Sequence, residues 1–268
     1  MIRAAVLGSP IFHSLSPVLH RAAYRALGVE GEYEGIEVVA TELKQFIASR
    51  DRSWTGFSLT MPLKEEVLKI ADSVDPLALR IQSANTLIRS DSGWHALTTD
   101  VGGFQNALAQ HAVEDFKKVV IIGAGATARA AAASCDAAGR EITVVNRSKA
   151  RESSMRRAAS KSAISFIDWN SQLPKADLII NTTPSQVADV FVSQFTSRPE
   201  GCFFEALYNP WPTKLLARWR SLGGKSIDGL DLLVHQAVDQ VALMCNLTLN
   251  RSQIAPILRA AGLAVLEN

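Results

Sequence analysis

Short apolar runs along this chain trade places with segments whose apolar residues recur every three to four positions. RAAVLG, YEGIEVV, WTGFSLT and ANTLI read as strands, and SPVLHRAAYRAL, TELKQFIAS and LKEEVLKIAD as helices. Such alternation predicts an α/β layer on a mostly parallel sheet. A second series starts at KKVVIIGAGATARAAAASCDAAGREITVVNRS, a complete strand, glycine turn, helix and strand. Two series predict two α/β domains, residues 1–100 and 101–239. They meet near TTDVGGFQNALAQH, where Gly102 and Gly103 precede a helical run and offer a hinge. From LDLLVHQAVDQVALMC to SQIAPILRAAGLAVL the chain is apolar and helical, and helices at about 240–268 are expected to pack back on the first domain.

Composition narrows the function classes. At 268 residues, 47% hydrophobic and 20% charged, the chain has the make-up of a globular protein with a sizeable core. A formal net charge of +2 gives no reason to expect nucleic acid or an acidic membrane surface as partner. No apolar run approaches the ~20 residues of a membrane span. Cys135, Cys202 and Cys245 are far apart and odd in number, which suits reduced thiols in the cytoplasm. The five histidines show no metal-ligand spacing, and none is assigned a catalytic role.

VVIIGAGATA sets Gly123, Gly125 and Ala128 in a G-x-G-x-x-A pattern between a strand and a helix, with Ala126 in the turn. The first glycine makes the turn, the second admits a pyrophosphate close to the backbone, and the small third residue lets helix and strand pack. About 20 residues on, where an acid would bind the ribose of NAD, the strand ends at Asn146, followed by Arg147, Lys149 and Arg151. A guanidinium there suits a 2′-phosphate, so NADP is expected over NAD. Arg147 is the favoured contact, Lys149 a weaker one, and Arg151 is read as part of a solvated helix face.

Two loops of the first domain carry chemistry. SPIFHSLSPVLH crowds serines between a strand and a helix: Ser16 before Pro17 suits either an N-cap or a ligand contact, whereas Ser14 is not needed for capping. In GFSLTMPLK, Pro62 ends the strand and presents Lys64 at its mouth. Asp100, before VGGF, reads equally well as a helix cap or as a partner for a cation.

Together GSPIFHSLSPVLH, LTMPLK, ANTL, TTDVGG, GAGATAR, NRS, NTTP, LYNPWPTKLL and DGLDLLVHQA follow the order and approximate spacing of the shikimate dehydrogenase family, which this chain closely resembles from about residue 6 to 240. The resemblance implies NADP-dependent, reversible reduction of 3-dehydroshikimate to shikimate, a step toward chorismate and the aromatic amino acids. It implies a substrate domain, a Rossmann NADP domain and an active site in the cleft between them. Ser14 and Ser16 match the positions that bind the substrate carboxylate; Thr60, Asn85 and Gln236 those that hold ring hydroxyls; Tyr208 one that lines the substrate site. Lys64 and Asp100 match the catalytic pair, and Thr182, within NTTP, and Gly229 match the nicotinamide side.

Ser58 stands where the family often has Asn, and is expected to meet the substrate with a shorter reach; Glu205 stands where Asp is usual. Hydride transfer to a ketone leaves charge on its oxygen, which a lysine ammonium stabilises and protonates. Shikimate oxidation needs the neutral amine, so its rate is expected to rise with pH above neutrality. A quinate-accepting dehydrogenase and a noncatalytic NADP-binding regulator are the competing readings. Both a monomer and a homodimer are compatible with the sequence.

Overall fold

In the computed structural model, which describes residues 1–267, the opening apolar run becomes strand β1 (Ile2–Gly8), buried from Ala4 onward. Helix α1 (Ser16–Leu27) follows and ends at Gly28, whose left-handed φ of 62° lets its N–H cap the carbonyls of Tyr24 and Arg25. After β2 (Gly31–Glu37) and α2 (Leu43–Ala48) comes the fully buried β3 (Gly56–Leu59). Pro62 stops that strand, and α3 (Leu63–Glu66) runs one turn before tightening into a 3₁₀ turn at Val67–Lys69. Next are β4 (Ser73–Val74), α4 (Pro76–Ile81, N-capped by Asp75), β5 (Thr86–Ser90), β6 (Gly93–Leu97) and α5 (Asp100–Gln110).

These strands form one sheet in the order β2-β1-β3-β5-β6-β4. β1 is parallel to β2 and β3, and β4 to β6, but β5 runs antiparallel to both β3 and β6. The first sheet is therefore mixed: the hairpin through Ser90–Gly93 reverses the chain, a reversal that strand and helix alternation does not encode. The long helix read over residues 63–72 is likewise shorter in the structure, ending at Glu66.

The second series holds β7 (Lys118–Ile122), α6 (Ala126–Ser134), β8 (Glu141–Asn146), α7 (Glu152–Ala158), β9 (Ala163–Asp168), β10 (Leu178–Asn181), β11 (Cys202–Glu205), α8 (Lys214–Ser221) and β12 (Lys225–Ile227). Every strand pair here is parallel, in the order β12-β11-β10-β7-β8-β9. The winding reverses between β7 and β10, and ligands of open α/β sheets bind outside the strand ends at that point. α9 (Gly229–Cys245) and α10 (Arg251–Leu266) complete the chain.

The chain divides into one unit of Met1–Gly103 with the residues from Leu233 on, and another of Phe104–Leu232; the divisions fall inside α5 and α9. Gly102 and Gly103 are thus helical rather than a free loop. In the first unit Phe57 packs between Trp54 and Trp94 with Leu7, Leu43 and Leu63. In the second, Phe203 and Trp219 anchor a cluster with Ile122, Ile179 and Leu216. No described helix is long and apolar enough to cross a membrane.

Candidate active site

Pro62 places Lys64 in the single turn of α3, and the Lys64 backbone carbonyl accepts from Ala84 N at 2.9 Å, tying that turn to the entry of β5. The Lys64 Nζ donates to Asp100 Oδ2 at 2.6 Å; the lysine side chain is 16% exposed and the aspartate 6%. Asp100 opens α5, where the helix N-terminus favours a carboxylate. Its second oxygen, Oδ1, accepts from Asn85 Nδ2 at 2.9 Å. Asn85 Nδ2 also lies 2.9 Å from Thr99 Oγ1 and 3.2 Å from Gln236 Oε1, while Gln236 Nε2 donates to the Leu233 carbonyl. Lys64, Asp100, Asn85 and Gln236 therefore meet in one cluster, with Thr99 as a member that sequence reading missed.

Thr60 lies at the same end of the sheet, its N–H bonded to Leu7 O at 2.9 Å. A Cβ on Gly8 would collide with the Thr60 methyl, so only glycine lets β1 pass it this closely. The serine loop departs from expectation. Helix α1 begins at Ser16 itself, with Leu15 before it, and Ser14 Oγ accepts from Ser16 N at 3.3 Å. Ser14 is the residue engaged at the helix start, and Ser16 is buried. Ser58 is buried, 4% exposed, and its hydroxyl accepts from Tyr33 Oη at 2.6 Å and donates to Gln240 Oε1 at 2.8 Å.

In the second unit, Gly123 follows β7 with φ 108°, and a Cβ there would sit 2.7 Å from Thr182 Oγ1, itself donating to Ile122 O. Gly125 caps the N-terminus of α6, with Ala126 its first residue. Around this turn lies a cavity of about 380 Å³ lined by Gly123, Gly125, Asn146, Arg147, Arg151 and Trp169, among others. Its lining contains two arginines and no carboxylate. Asn146 Nδ2 donates to Ser148 O, and Ser148 caps the turn that carries the chain to Arg151. Arg151, four residues beyond Arg147, is exposed and lines the cavity, whereas Lys149 does not. The signal that could have found it is Ser148, a capping residue type that starts a turn directly after the strand and folds the next residues back.

Gly229 opens α9 so close to Leu207 that an added Cβ would collide with the Leu207 carbonyl group; Tyr208 follows in the same segment. Glu205 is fully buried at the end of β11. It accepts from Asn181 Nδ2 at 3.0 and 3.1 Å, from Thr213 Oγ1 at 2.7 Å and from Leu207 N at 3.2 Å. Burial pushes its carboxyl up to about 7 against those donors. Asn181 Oδ1 in turn accepts from Thr183 N and Oγ1, so Glu205 shapes the NTT turn.

An open glycine turn at a helix N-terminus, with two guanidinium groups lining its cavity and Asp168 set in the adjoining one beyond Arg147, suits a dinucleotide bearing a 2′-phosphate.

Residues 6–87 match the family model for the shikimate dehydrogenase substrate binding domain, and residues 107–199 that for shikimate / quinate 5-dehydrogenase. Shikimate dehydrogenase (NADP(+)) of Methanosarcina barkeri is 34% identical over 254 residues, covering 89% of this chain and 90% of its own. The crystal structure of Mycobacterium tuberculosis shikimate dehydrogenase superposes with a TM-score of 0.87 at 35% identity, over 97% of this chain and 100% of its own. That of the Thermus thermophilus shikimate 5-dehydrogenase in complex with NADP(H) and shikimate gives 0.80 at 30% identity, over 97% and 100%.

Proposed function

The chain belongs to the shikimate dehydrogenase family, and from that premise we propose that it catalyses reversible, NADP-dependent reduction of 3-dehydroshikimate to shikimate, with Lys64 and Asp100 handling the proton. The observation that carries the assignment of roles is the 2.6 Å Lys64–Asp100 contact, with the other aspartate oxygen held by Asn85. When bound, NADPH supplies the hydride. Lys64 hydrogen-bonds the ketone oxygen, offsets the charge that develops there and delivers a proton to it. Asp100 holds the ammonium in place, and Asn85 holds Asp100.

Substrate belongs to the first unit in this reading. Ser14 and Ser16 take the carboxylate, and Thr60, Asn85 and Gln236 the ring hydroxyls, with Tyr208 assigned to the ring itself. NADP belongs to the second unit: Gly123, Gly125 and Ala126 face the pyrophosphate, Asn146, Arg147 and Arg151 the adenosine 2′-phosphate, and Thr182 and Gly229 the nicotinamide. The Thermus thermophilus relative solved with NADP(H) and shikimate supports this pair of ligands.

Steady-state shikimate oxidation by Lys64→Ala tests the central role. The variant is expected to lose about 10²- to 10⁴-fold in kcat with little change in KM, the usual scale of general acid–base catalysis. A rise in KM at unchanged kcat would reassign Lys64 to binding.

A further inference from the structure

Joined to the Lys64 cluster through Asn85 is a second set of buried polar groups that the proposed chemistry does not use. Gln240 lies on α9 one turn beyond Gln236 and is 1% exposed. Its Nε2 donates to the Asn85 backbone carbonyl at 3.1 Å and to Thr86 Oγ1 at 3.0 Å. Its Oε1 accepts from Ser58 Oγ at 2.8 Å and faces His20 Nε2 at 3.3 Å. All four hydrogen-bonding positions of the amide are therefore filled.

The polarity of each bond follows from groups that can play only one role. The Asn85 backbone carbonyl can only accept, so the near end of Gln240 must be its NH₂ and the far end its oxygen. His20 is neutral, its ring held down to about 3 by burial, so its Nε2 must carry the proton it gives to that oxygen. Thr86 Oγ1, having accepted from Gln240, donates to Asn85 Oδ1 at 3.0 Å, and the Thr99 backbone N–H, which can only donate, meets the same oxygen at 2.7 Å. Asn85 then has only its NH₂ to turn toward Asp100. The bonds form a directed series from Tyr33 through Ser58, Gln240, Thr86 and Asn85 to Asp100, and reversing any one amide leaves buried donors facing donors.

We infer that Gln240 is a positioning residue for the reaction: through Thr86, and together with the Thr99 backbone N–H, it holds the Asn85 amide with its NH₂ toward Asp100, and so keeps the carboxylate where it can orient the Lys64 ammonium. The inference rests on the reading of Lys64 and Asp100 as the proton-handling pair. Gln240 touches neither substrate nor cofactor in this account. It acts at one remove, by adding a second donor, Thr86 Oγ1, beside the Thr99 N–H on the Asn85 oxygen and so tightening the placement of the amide against Asp100.

The test is a double-mutant cycle on the full chain, read as kcat and KM for shikimate oxidation at saturating NADP, with thermal melts to establish folding. Gln240→Met keeps volume and helix propensity but removes the amide; Thr86→Val keeps the shape and removes the hydroxyl through which Gln240 reaches Asn85. Each is expected to lower kcat about 10- to 100-fold, the scale of a misplaced catalytic group, with KM changing much less. In an Asp100→Asn background, itself impaired, neither should cause a further loss, because the group they position is gone. An equal fractional loss in both backgrounds, or wild-type kcat in a folded Thr86→Val, would overturn the inference. Undiminished turnover by Asp100→Asn alone would instead sink the reading of the Lys64–Asp100 pair, and the inference with it. Should Gln240→Met fail to fold, Thr86→Val carries the cycle.

Discussion

Arg147 and Arg151 show how much a single turn decides. Both guanidinium groups line the cavity beside the glycine turn, and Arg147 also sits 5.8 Å over the ring of Trp169. If they bind the 2′-phosphate, Arg147→Ala should raise the KM for NADP about 10- to 100-fold, the scale of a lost hydrogen bond to a charged group, while leaving the KM for NAD nearly unchanged. An equal rise for both cofactors would place Arg147 at the pyrophosphate or at a purely structural task. Arg147 was legible because nothing acidic follows Asn146. Arg151 was not, since its side chain reaches the cavity only through the turn that Ser148 caps. Ser58, expected to meet the substrate, has its hydroxyl taken up by Tyr33 and Gln240. Strand alternation says that its side chain and that of Phe57 point to opposite faces, but not that α9 covers the Ser58 face and brings Gln240 onto its hydroxyl.

At the scale of the element, the parallel second sheet was readable because a βαβ unit with a glycine turn admits few arrangements. The mixed first sheet was not, because the antiparallel hairpin β5–β6 depends on pairing partners rather than on local pattern. The ends of β10 and β11 are joined by Glu205, whose carboxyl bridges Asn181 and the cap of α8 at Thr213. An acid held near 7 when folded and near 4.5 when unfolded binds its proton more tightly in the folded state. Its contribution to stability is thus fullest below 4.5 and declines as pH rises to about 7, by about 3 kcal/mol at 1.36 kcal/mol per pH unit. Relative to Glu205→Gln, which carries no such proton, the wild type should lose urea resistance between pH 5 and pH 8. Parallel midpoints across that range would show that the donors from Asn181, Thr213 and Leu207 already offset the burial.

For the molecule as a whole, nine ordered motifs mark the family, and the matched models over residues 6–87 and 107–199 place the chain in it. What the motifs leave out is the support behind them: Glu205 behind NTT and Gln240 behind Asn85 are buried polar residues that sequence alone cannot distinguish from core-filling ones, and TTDVGG contains Thr99 without showing that it meets Asn85. Support and motifs are held to serve one reaction, hydride exchange between shikimate and NADP. Initial rates of oxidation of shikimate and of quinate, each with NADP and with NAD and followed by nicotinamide absorbance, test it most directly. Fast turnover is expected with shikimate and NADP, and little with the other three pairs. Comparable rates with quinate or with NAD would contradict the assigned specificity, and a folded, NADP-binding protein that turns over no pair would contradict the assigned activity.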